Sequence, residues 1–153
     1  MKKMESVNDI LDFAIEQEIA SQIFYYRLAA DSAIPEMRQV FEGFTKEEKG
    51  HQARLESMKA KDSLKGAINP ADIQSLGLSD YLVDAEPTPD MEYKDALILA
   101  MKKEKAAYRL YTDLAELSDS TDIKDIFLFL AQEEAKHKLR FEVEYDDTVL
   151  HED

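Results

Sequence analysis

Apolar residues recur along most of this chain at intervals of three and four, the spacing that lines one face of an α-helix. One stripe runs from Leu11 through Ala14, Glu18, Gln22 and Tyr25 to Ala29, and a second through Met37, Phe41, Phe44, Glu48, His51, Leu55 and Met58. A third takes in Leu97, Met101, Glu104, Tyr108, Tyr111 and Ala115; the fourth holds Ile123, Phe127, Leu130, Glu134, His137 and Phe141. The pattern predicts helices over about 8–30, 36–61, 92–117 and 122–145, with Ser6 or Asn8 capping the first and SDSTD turning into the last. Residues from about 62 to 91 carry Gly66, Pro70, Gly77, Pro87 and Pro89 and read as a long crossover with one or two short helical turns inside it. Nothing reads as a sheet. The acidic tail DDTVLHED is expected to be loose, which makes His151 an exposed residue rather than a ligand.

Short turns within each pair of helices and a long connection between the pairs define the fold class: all-α, a four-helix bundle of the ferritin-like kind. At 153 residues the chain is one domain by size, spanning 1–153. Its halves are also copies. Sliding the chain by 86 residues lays 10–58 over 96–144 without a gap, and fourteen positions coincide, among them Tyr25 with Tyr111, Phe41 with Phe127 and His51 with His137. Two copies of one helical hairpin pack about a pseudo-two-fold axis, which turns matching positions toward each other.

Chemistry enters through the polar residues that interrupt the stripes. Glu48-x-x-His51 and Glu134-x-x-His137 each put a carboxylate and an imidazole on one helix face. Glu18 and Glu104 occupy core-facing positions of the other two helices. Four ionised carboxylates in an apolar interior lose their hydration and repel one another, at a cost of several kcal/mol per ion in order of magnitude. Two divalent cations relieve that cost, with two neutral imidazoles completing the set. The donors are oxygen-rich with two nitrogens and no sulfur, which suits Fe(II), Mn(II) or Zn(II).

Composition narrows the partners. The chain has no cysteine, which excludes disulfides, thiolate metal sites and iron–sulfur clusters within it. Its formal charge of −14 repels nucleic acid and anionic membrane surfaces. The N-terminal segment lacks the unbroken apolar stretch of a signal peptide and no apolar run is long enough to span a bilayer, so a cytoplasmic protein is expected.

One glutamate from each of two helices plus a Glu-x-x-His from each of two others resembles the rubrerythrin family, over about residues 7–145 and specifically its di-iron bundle. By that resemblance Glu18, Glu48, His51, Glu104, Glu134 and His137 would hold two iron ions. The implied activity is reduction of hydrogen peroxide, or more slowly dioxygen, with electrons from a partner. Apart from the resemblance, Tyr25 and Tyr111, each seven residues beyond its glutamate, are expected to pack in the core with satisfied hydroxyls, with hydrogen bonding to the carboxylates or electron shuttling as the alternative role, and Glu47 and Glu133, turned away from the ligand face, are expected at the surface. Fuller rubrerythrins carry a rubredoxin domain with two Cys-x-x-Cys pairs. This chain has none, which implies a separate electron-donor protein. The family also tends to have an extra glutamate one turn after the third-helix ligand, where this chain has Ala107.

The six ligands are equally similar to the ferroxidase centre of bacterioferritins, but Lys49 stands where a haem-binding member has methionine, and the crossover is longer. Iron oxidation for storage, and a non-catalytic protein stapled by metal, are the two other functions that this ligand set allows. A homodimer is the expected assembly, two-fold symmetry being the commonest.

Overall fold

Where the three-and-four spacing persists, the chain is helical. In a computed structural model that describes residues 5–83 and 85–150, α1 spans Val7–Asp31, α2 Pro35–Ala60, α3 Pro70–Gln74, α4 Tyr93–Leu117 and α5 Thr121–Leu150. A 3-10 turn covers Leu78–Tyr81, and no strand occurs among the described residues. Ser6, not Asn8, caps α1: its hydroxyl accepts from the Asp9 amide at 3.2 Å while the Asp9 carboxylate accepts from the Ser6 amide at 3.1 Å. This reciprocal box satisfies donors that the first helical turn would leave open.

Both tight turns use a buried serine. The Ser32 hydroxyl accepts from the Ile34 amide and donates to its carbonyl, after which Pro35 opens α2 with a φ already suited to a helix. Ser118, its repeat partner, does the same with Ser120 at the α4–α5 turn. α5 runs five residues past the expected end at Tyr145, so most of the supposedly loose tail is helix; no glycine or proline follows Thr121 to stop it. His151 lies outside the described residues.

The chain divides into two compact units. One holds the described residues up to Leu76 together with Leu117–Ile123, the other Gly77–Glu116 and the described residues from Lys124 on. In the first unit α1 and α2 form a hairpin whose core includes Leu11, Tyr25, Phe41 and Leu55, all at most 1% exposed. Tyr25 stacks on Phe24 and meets Phe44 edge-on. The start of the crossover adds Leu64, Ile68 and Ile73 to the buried set, and the Asp119 amide donates to the Ala67 carbonyl at 2.7 Å.

In the second unit α4 and α5 bury Leu97, Leu114, Leu130 and Phe141, and Tyr111 stacks on Phe127 with ring centroids 6.3 Å apart. The Tyr81 hydroxyl donates to Asp113 at 2.6 Å and fastens the end of the crossover to α4. Burying each such large apolar side chain contributes about 1.5–3 kcal/mol.

The repeat holds at the level of burial. Each of the nine buried residues of α1 has a buried counterpart in α4, 86 positions on. Among the described residues no helix is long and apolar enough to cross a membrane.

Candidate metal centre

Each unit builds a Glu–Glu–His triad from its two long helices. In the first, Glu18 on α1 meets Glu48 and His51 on α2; in the second, Glu104 on α4 meets Glu134 and His137 on α5. Within each triad one ligand atom from every residue lies within 4.8 Å of the others. All six side chains are buried, the carboxylates at 1–2% exposure and the histidines at 5% and 2%.

The helix periodicity explains the convergence. Glu48 and His51 are one turn apart on the face that also carries Phe41 and Leu55, so packing that face inward carries both ligands with it. Glu18 stands between Ala14 and Tyr25 on the buried face of α1 in the same manner.

Distances test whether such a triad fits a metal. His51 Nδ1 is 3.6 Å from Glu18 Oε2 and 3.6 Å from Glu48 Oε1, and His137 Nδ1 is 3.6 Å from Glu104 Oε1. These separations are longer than a good hydrogen bond. Donors held about 2.1 Å from one ion, at roughly 90–120° to each other, stand about 3.0–3.6 Å apart. Both triads therefore fit a shared cation, and in both the nitrogen aimed at the carboxylates is Nδ1. The histidine would bind as a neutral ring with its proton on Nε2. Buried carboxylates together with neutral nitrogen donors make a metal-binding group, with hard oxygen donors in the majority.

Around the triads Tyr108 departs from the sequence expectation, while Tyr25, Tyr111 and Glu47 follow it. Tyr25 and Tyr111 are buried, at 0% and 1% exposure, but Tyr108, set in the core stripe by its spacing, is 44% exposed. Gln22, its counterpart, is half-buried and donates to the Gln52 side chain at 2.7 Å, and Gln52 donates onward to Glu56 at 2.6 Å. Glu47 is exposed, and Glu133 is half-buried with Lys136 3.4 Å away.

One further buried carboxylate has no acidic counterpart in the repeat. Glu144 is 6% exposed, where the repeat has Met58. Its signal was a continuation of the α5 stripe three residues beyond Phe141. It lies near Tyr93, whose phenol is held well above its ordinary range by burial first and by the Glu144 charge second, with Arg140 opposing.

Comparison with known proteins bears on the fold and the family. Similar solved structures include a Thermotoga maritima protein described as a ferritin-like diiron-carboxylate protein, 21% identical over 97% of this chain and 99% of that one with a TM-score of 0.78. A hypothetical protein from Pyrococcus furiosus is 22% identical, covers 95% of this chain and 89% of its own, and has a TM-score of 0.68. Both likenesses show the fold, a ferritin-like helical bundle. No curated protein matches the sequence. The sequence model of rubrerythrin matches residues 9–145, which take in both triads and most of every long helix: the chain belongs to the rubrerythrin family.

Proposed function

We propose that this chain is a di-iron oxidoreductase that reduces hydrogen peroxide, or more slowly dioxygen, to water with electrons from a separate donor protein. In this reading Glu18, Glu48, His51, Glu104, Glu134 and His137 together hold two metal ions. The observation that carries it is the duplicated, fully buried Glu–Glu–His triad, in a chain of this family. Each hydrogen peroxide takes up two electrons and two protons and leaves as two waters. Two iron ions, passing between ferrous and ferric states, would supply those electrons.

The chain's own residues set the conditions for that chemistry. Four carboxylates balance the charge of two divalent ions, and the two neutral imidazoles add donors without adding charge. Burial excludes bulk water, which strengthens every electrostatic contact at the ligands. Tyr25 and Tyr111, two helical turns from Glu18 and Glu104, act as fixed aromatic walls behind the ligand-bearing segments of α1 and α4. We assign the protein to the cytoplasm and to a homodimer.

Ala107 favours a second reading. A half-buried alanine stands where the family tends to have a further carboxylate, leaving the six-ligand set of a ferroxidase, whose substrate is Fe(II) itself. Anaerobic loading with Fe(II), followed by stopped-flow absorbance with peroxide and dioxygen in parallel, separates the two. The oxidoreductase is oxidised by peroxide much faster than by dioxygen and stops at two irons per chain. Equal rates, or turnover of many irons per chain, would overturn it in favour of iron oxidation, and redox-silent zinc that cannot be exchanged for iron would leave only a metal-stapled scaffold.

A further inference from the structure

The repeat is kept inside each unit and broken on the outside of the second. Lys102, Lys105 and Arg109 follow one another along the exposed side of α4, and Lys138 joins them from α5. Their counterparts 86 residues earlier are Glu16, Ile19, Ile23 and Gln52, without a single cation. Two open grooves, of about 390 and 280 Å³, share Lys105 between them. Their lining contributes Asp80 and Glu142 as the opposing charges, and Glu142 is already paired with Lys138. Three further cations remain, in a chain whose formal charge is −14.

Between the charges the floor is apolar. Leu82, Tyr108 and Leu139 are 43%, 44% and 61% exposed. An apolar centre with cations in the majority around it suits the docking and steering of a protein partner, whereas a small anion is held by a closed cage of donors. The patch also adjoins ligands of its own unit. Lys105 follows Glu104 in sequence, Tyr108 is one turn beyond it, and Lys138 follows His137.

The geometry points to this patch of the second unit as the docking face for an acidic one-electron carrier protein. The inference rests on the redox reading above and names the class of its electron donor. Two successive encounters deliver one electron each, which together with two protons balances the reduction of one peroxide to two waters. Charge complementarity selects the occupant. A reduced acidic protein is attracted to Lys102, Lys105 and Arg109 and repelled by the rest of this surface.

The test uses the full chain, with reduced flavodoxin, an acidic carrier, as the probe. Anaerobic reduction of the ferric, iron-loaded protein is followed by absorbance, so peroxide plays no part in the readout. A parallel titration measures flavodoxin binding to the zinc-loaded protein. The triple variant K102E/K105E/R109E is expected to lose at least about tenfold in the second-order rate at low salt, and to lose binding, with its iron content and melting temperature unchanged. The wild-type rate should fall as salt rises. Reversal of Lys46 and Lys49, exposed on α2, should leave both readouts at wild-type values.

A wild-type rate in the triple variant, no salt dependence, or an equal loss in the Lys46/Lys49 variant overturns the proposal. So does a change in sedimentation of the triple variant alone, which would assign the patch to a second copy of this chain. Failure of the redox reading shows elsewhere, as dithionite-reduced wild type that peroxide does not oxidise.

Discussion

The first and second units hold their Glu–Glu–His triads at matching positions, yet residues one step outward have diverged. Beside the triad of the first unit, Gln22, Gln52 and Glu56 form a chain of hydrogen bonds. The same three positions in the second unit are Tyr108, Lys138 and Glu142, which line an open groove. The contrast follows from what each layer must satisfy. A triad that holds an ion would tolerate little change, because its donors would have to stay within a fraction of an ångström of the distances the ion imposes, and a close-packed core passes any shift to its neighbours. Exposed positions change at a cost within about 0.5 kcal/mol and are free to specialise.

Removing a ligand from one unit at a time is the severest test of that likeness. Glu104→Ala and Glu18→Ala are each expected to lower bound iron from two per chain to one and to cut peroxide consumption by at least roughly a hundredfold. Metal analysis beside an activity assay checks both. If the units are equivalent at their triads, the two variants fail alike; full iron content in either would refute the ligand assignment. Without metal the same variants should melt no lower than wild type, since each loses a buried carboxylate.

Core truncation compares the units by packing alone. Phe41→Ala and Phe127→Ala, at paired positions with 0% exposure, should each cost about 3–5 kcal/mol in urea or guanidinium unfolding. A cost for Phe127 well below that for Phe41 would mean that the second unit relaxes around the gap where the first does not.

Legibility in the sequence follows the same division between inside and outside. The burial of Glu18, Glu48, His51, Glu104, Glu134 and His137 could be read because each interrupts an apolar stripe at helical spacing and the repeat supplies a second copy of every interruption. Glu144 could not be read through the repeat, since its partner is Met58 and only one copy carries the charge. Tyr108 keeps the spacing of the core stripe yet is exposed, because spacing alone cannot tell the edge of a buried face from its centre. The acidity of the tail suggests looseness, but nothing in DDTVL breaks a helix, and α5 continues through it. The cationic groove lies beyond sequence reading altogether: Leu82 from the crossover and Leu139 from α5 come to α4 only through folding.

Alkaline stability should expose a smaller asymmetry. Tyr81 and Tyr93 both belong to the second unit, and both phenols are held above their ordinary range chiefly by burial, Tyr81 also by its hydrogen bond to Asp113. A phenol that keeps its proton in the folded state while the unfolded chain releases it withdraws stability as pH rises. That contribution is whole below about pH 10 and declines above it. Unfolding free energies measured from pH 8 upward should therefore fall, and Tyr93→Phe should flatten the fall. An unchanged slope in that variant would mean that Tyr93 does not stay protonated through burial.

The smallest effect belongs to the hydrogen-bonded surface of the first unit. Gln22→Ala removes the amide that donates to Gln52 at 2.7 Å, a half-buried contact worth about 1 kcal/mol. Tyr108→Ala, at the matching position, removes a ring that is nearly half exposed and lines the open groove. If the first unit's outer layer serves stability and the second's serves contact with a partner, Gln22→Ala lowers the melting temperature by a few degrees and leaves carrier-driven reduction alone. Tyr108→Ala does the reverse. Calorimetry and the anaerobic reduction rate, taken on both variants, decide it, because a shared role would move the two proteins together on both measurements.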